Sequence, residues 1–268
     1  MSNAQEDVSV VVTPLTRSVL VASSCEMWGI GPEQAEFAGL DFDDVDLLFE
    51  AALAATSTPE GRRELVVPHR LLTACRLLPV SCLALLVPDD RYPRTEHTAA
   101  EFYAAQVEID GVLDELGVPV VLAGGVPAPD PARSAVTAAD RLPRVAARPV
   151  GDDAAPVRLR RTTGIALAAT AVEVAAVGAD AEEFLGAAWP AVRQVLLRVR
   201  GATPVPGGTD VELSVSAAQC EVLRRLPLSY LAFVDPEERA ARSGLSAADL
   251  HAAHVDVHRA LPPAPPAG

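Results

Sequence analysis

VSCLALLV, residues Val80–Val87, is a continuous apolar run closed by Pro79 on one side and Pro88 on the other. A run of this length between turn residues has the look of a strand buried on both faces. Upstream, His69–Leu78 reads as a helix begun after Pro68. Downstream, Thr98–Leu116 reads as a helix stopped by Gly117, the residue type that accepts left-handed geometry past a helix end. Val118–Ala123 (VPVVLA) then supplies a second apolar strand, with Gly124-Gly125 at its end. Strand, helix and strand in this order make a βαβ unit, which implies parallel neighbours joined by a right-handed crossover.

Working outward, VSVVVTP (Val8–Pro14) and SVLVA (Ser18–Ala22) read as two short strands, and Asp41–Thr56 as an amphipathic helix with Val45, Leu48, Phe49, Ala52 and Leu53 on its core side. Val126–Pro156 is proline-rich and aperiodic, which marks a boundary between two halves. Beyond it the periodicity is mainly helical, at 164–178, 181–199, 216–226, 236–243 and 246–261, with short strands at Val211–Val215 and Tyr230–Val234. The expected architecture is α/β. A short, partly parallel sheet with flanking helices occupies 5–125, a Pro/Ala-rich linker or long surface loop 126–156, a mainly helical half 157–261 and a disordered tail 262–268. No internal repeat is evident.

Composition removes whole classes of chemistry. All 22 basic side chains of this 268-residue chain are arginine. Without lysine there is no Schiff base, no phosphate-loop lysine, no Ser-Lys dyad and no kinase-type ATP lysine. A net charge of -14 repels phosphate backbones and anionic bilayers, so neither nucleic acid nor membrane is an expected partner. Half the residues are hydrophobic, enough for a real core. Cys25, Cys75, Cys82 and Cys220 form no C-x-x-C pair and no basic-then-apolar leader is visible, which together read as a soluble cytoplasmic protein. LGVPVVLAGGVP lacks G-x-G-x-x-G spacing, so no nucleotide cofactor is expected.

The charged segment DDRYPRTEH, Asp89–His97, follows the expected buried strand at its carboxyl end, where open α/β sheets collect ligands. There Asp89, Arg91 and Arg94 would bind a polar or anionic substrate and His97 would act as general acid or base. The bland account of the same residues is a solvated loop with Thr95 or Thr98 capping the next helix. Cys25, in SSCEMWG, is a candidate nucleophile, although the neighbouring Glu26 would raise its thiol pKa. His251, His254 and His258 share one helix face and are weak metal candidates, since a second ligand-bearing element and an H-E-x-x-H pattern are both missing. Arg158, Arg160 and Arg161 read most simply as the exposed side of a strand.

The expected function is a small-molecule-transforming protein, an accessory biosynthetic enzyme using acid/base chemistry on a polar metabolite. The first alternative is a non-catalytic interaction or regulatory protein, with another protein or a second copy of the chain as partner. The second is a metal-dependent enzyme built on the C-terminal histidines.

Overall fold

The computed structural model describes residues 7–30, 40–118, 154–206 and 209–262. The chain divides into two compact units, Met1–Pro127 and Ala128–Gly268.

The first unit runs β1 (Asp7–Val12), α1 (Pro14–Ile30), α2 (Phe42–Ala54), β2 (Thr56–Ser57), β3 (Arg63–Pro68), a 3-10 turn (His69–Leu71), α3 (Leu72–Leu85), α4 (Pro88–Thr95) and α5 (Ala99–Glu115). Its strands form a three-stranded antiparallel sheet in the order β1-β3-β2, with Val10 opposite Leu65. Alternation sets the buried face: Val10, Val12, Leu65 and Val67 are sealed while Val66 is exposed. Helices α2 and α5 pack against the sheet, and α3 is enclosed by α1, α2 and α5. Nearly every α3 side chain is buried, including Arg76, Pro79 and Ser81.

Three sequence expectations are corrected here. Val80–Val87 is the second half of α3 and its C-terminal turn, not a strand. A helix enclosed on all sides carries no apolar stripe, so its sequence matches a buried strand, and Pro79 makes it look divided. Ser18–Ala22 belongs to α1, where Thr16, Val19, Leu20, Ser23, Ser24 and Met27 are buried at helical spacing. Asp89–Thr95 is helical as well, begun by Pro88 at the first position with Asp89 and Asp90 in the first turn. The sheet is therefore antiparallel, and the βαβ unit does not form. Val118 lies at the end of the described part of this unit. The rest of the expected strand to Ala123, and most of the expected linker, lie outside the described residues.

The second unit runs β4 (Ala155–Arg160), α6 (Arg161–Val177), a 3-10 turn (Gly178–Ala181), α7 (Glu182–Leu185), α8 (Trp189–Arg200), β5 (Thr203–Pro204), β6 (Asp210–Val215), α9 (Ala217–Phe233), α10 (Pro236–Ser243) and α11 (Ala247–Ala260). It has its own three-stranded antiparallel sheet, ordered β4-β6-β5. Tyr230–Phe233 is the end of α9 rather than a strand, for the reason that applied to α3. The stretch Arg161–Leu185 is long and apolar enough to cross a membrane by length and composition, and 39% of its most apolar part is buried, including Ala166, Leu167, Thr170, Ala171 and Val174. Gly164 lets α6 approach β6 closely, since a Cβ there would meet a Val211 methyl at 2.6 Å.

The two units are copies of one fold, which corrects the expectation of a chain without an internal repeat. Strand order, register and helix order coincide. Val10 opposite Leu65 becomes Val157 opposite Leu213, and Val12 opposite Arg63 becomes Leu159 opposite Val211. Pro79 inside α3 recurs as Pro227 inside α9. Thr98 and Ser246 each begin the last helix with a reciprocal capping box, to Glu101 and Asp249. The residue before each cap region has positive φ, 59° at Glu96 and 68° at Gly244.

Candidate functional site

The duplication sorts the charged segment residue by residue. Arg91 is buried, with Nη2 3.5 Å from the carbonyl oxygens of Leu83 and Leu86 at the end of α3. Arg239, its equivalent, donates from Nη2 to Leu231 at 3.0 Å and from Nε to Val234 at 2.9 Å, at the end of α9. In both units an interior guanidinium caps carbonyls that the preceding helix leaves unsatisfied. Burial pushes the Arg91 pKa down to about 10.

Arg94 forms an ion pair with Glu26 on α1, and Arg242 pairs with Glu173 on α6 at 2.6 Å. These ties fasten the short helix to the first helix of each unit. Asp89 is exposed in the first turn of α4, where a carboxylate favours the helix dipole. The structure thus brings neither Asp89 nor Arg91 to His97 as a substrate clamp.

His97 lies elsewhere, against α1. Its Nε2 is 3.0 Å from Ser18 Oγ and its Nδ1 is 3.8 Å from Glu101 Oε2, with the imidazole side chain 11% exposed. Phe102 meets the ring edge-on at 6.3 Å. Hydroxyl, imidazole and carboxylate stand in the order of a nucleophile, its base and an orienting acid, although the Nδ1–Oε2 separation is longer than a hydrogen bond. The carboxylate also accepts from the Thr98 amide at 2.7 Å, as its capping role requires. Ser18 sits within α1, so the adjacent amides belong to helical bonding rather than to an oxyanion site. The second unit places Ile165 and Leu245 at the positions of Ser18 and His97. Sequence reading missed Ser18 because SVLVA looked like a strand. The Glu101 signal was present in the T-x-x-E capping pattern.

Cys25 is exposed on α1, and partial desolvation together with the Glu26 carboxylate pushes its thiol pKa up, away from nucleophilic use at neutral pH. The C-terminal histidines form a row on α11, with ring centroids 6.2 Å apart for His251 and His254 and 4.3 Å for His254 and His258. Among the described residues no group of three His, Cys, Asp or Glu side chains is arranged to hold a metal ion.

His254 has a traceable structural task. Pro227 removes one rung of α9 and splays the turn before it. In that turn the Arg224 carbonyl lies 3.3 Å from His254 Nδ1, which therefore carries the proton. At the same place in the first unit Gln106 Nε2 donates to the Arg76 carbonyl at 3.0 Å, beside Pro79. One amide and one imidazole meet the same need.

Comparison with family models, with curated proteins and with solved structures finds no match for this chain.

Proposed function

We propose that this chain is a non-catalytic protein-interaction scaffold, a tandem of two αβ units acting in the reducing cytoplasm. The observation carrying this reading is that Arg91 and Arg94, the cations suited to a substrate clamp, make the same fold-stabilising ties as Arg239 and Arg242. A group required by the scaffold in both units needs no ligand to account for it. Large apolar side chains meanwhile face outward on the first unit, among them Trp28 at 37% and Tyr92 at 60% exposure. Tyrosine and tryptophan are the residue types enriched where proteins bind proteins. Four free thiols fit a reducing compartment.

A second reading, the small-molecule-transforming enzyme with acid/base chemistry, is favoured by one observation, the Ser18–His97–Glu101 line present in one unit and replaced in the other. One experiment separates the two. The purified chain is treated with a fluorophosphonate and, separately, with iodoacetamide, and both products are mapped by mass spectrometry. The scaffold reading expects no Ser18 adduct and a Cys25 alkylation rate no faster than that of free cysteine. A Ser18 adduct that disappears in His97→Leu establishes the enzyme instead.

A further inference from the structure

Equivalent helices in the two units carry opposite charge on their outward ridges. Helix α2 buries Val45, Leu48 and Ala52, and α8 buries Val192, Val195 and Val199 at the same spacing, so the two helices sit alike on their own sheets. Outward, α2 presents Asp43, Leu47 and Glu50, whereas α8 presents Arg193 and Leu197, with Arg200 half-buried in its last turn. Leu47 is 36% exposed and Leu197 39%. Each ridge is a leucine with one charge a turn before it and another a turn after, acidic on α2 and basic on α8.

We infer that two copies of this chain associate by docking α2 of one copy on α8 of the other. Leu47 set against Leu197 brings Glu50 to Arg193 when the helices run antiparallel, with Asp43 facing the end of α8. The apolar strip continues beside α2 through Leu53, 50% exposed, and Trp28, whose ring meets Phe49 at 4.3 Å. Overall charge argues for this partner surface in particular. Two copies at -14 repel one another in general, and the arginine ridge of α8 is a local exception to that field. The inference goes beyond the scaffold reading and does not rest on it, since an enzyme would dimerise by the same surface.

Sedimentation equilibrium of the full chain tests it. The native chain is expected above its 28.0 kDa monomer mass, reverting toward monomer as salt is raised to about 1 M. Glu50→Arg and Arg193→Glu are each expected to weaken association about tenfold, and the two together to recover most of that loss. All these positions are exposed, so the far-UV spectrum should be unchanged. If a reversal perturbs folding, Glu50→Gln and Arg193→Gln carry the same test. A native chain that stays monomeric up to about 200 µM overturns the inference, because micromolar affinity is the weak end for a specific interface. A double reversal no better than either single does so too.

Discussion

In the first unit the Thr13 amide and hydroxyl and the Thr16 hydroxyl converge on Glu108; in the second, the Arg160 amide and the Thr163 hydroxyl converge on Asp256. The same carboxylate position thus satisfies the start of the first helix in each copy, reaching it from the last helix. Other places differ. Buried Arg76 meets Asp110 at 3.2 Å and Asp114 at 2.7 Å, whereas Arg224 meets Glu221 and the Pro262 carbonyl. Ser18 and His97 stand where the second unit has Ile165 and Leu245. What recurs with the same partners is what the fold requires. What changes between copies is where function can reside, and neither Arg91 nor Arg94 is among the changed positions.

Four measurements test the correspondence between the units. The largest effect is expected from Arg91→Ala and Arg239→Ala, each of which leaves buried carbonyls without their donor. Each should cost about 3 kcal/mol in denaturant unfolding, and a large loss in one unit with none in the other would dissolve the equivalence. Next is an alkaline asymmetry. Burial pushes both the Cys75 and Cys82 thiols up to about 12, while unfolded thiols ionise near 9.0. The folded first unit therefore keeps protons that its unfolded chain releases, and its stability falls as pH rises from 9.0 toward 12. Each thiol accounts for about 1 kcal/mol by pH 10, so the double variant Cys75→Ala/Cys82→Ala should flatten that limb of the stability curve.

A comparable loss, about 1 to 2 kcal/mol, is expected for Thr16→Val and for Thr163→Val, read by thermal unfolding. Equal losses would confirm that both hydroxyls serve the same cap. The smallest change is a gain. Glu96 holds a φ of 59° where the second unit has Gly244, so Glu96→Gly should stabilise by up to about 1 kcal/mol and Gly244→Glu should cost a similar amount. Loss of stability in Glu96→Gly would mean that the glutamate side chain has a task its copy lacks.

Much of each unit was legible in residues 1–118 and beyond 154, and the failures share one cause. The edge strand at Val8–Val12, the helix capped by Asp41, the helix from Thr98 to Gly117 and the strand at Val211–Val215 all carry local signals that tertiary context leaves alone. The central helices do not. Buried on every side and interrupted by proline, Leu72–Leu85 and the end of Ala217–Phe233 offer no periodicity to separate helix from strand. Misreading α3 then placed a ligand-collecting loop where a helix begins. The repeat itself was present in the letters, as R-x-L-P-x-S-x-L-A-x-x-x-P followed by two acids and R-x-x-R, from Arg76 to Arg94 and again from Arg224 to Arg242. Taking the first stretch as strand and loop and dividing the second differently hid their identity. Ser18 and Glu101 became visible beside His97 only once α1 was known to be a helix.

The clasp between the first helix and the last decides where a module tolerates change. Because Glu108 reaches back to Thr13 and Asp256 to Arg160, the end of the first strand in each module is fastened to the body of its last helix. Each module thereby closes its own ring of contacts across most of its length. Foreign sequence is best grafted far from that fastening, and in the first module the exposed β2–β3 hairpin around Gly61 offers such a place.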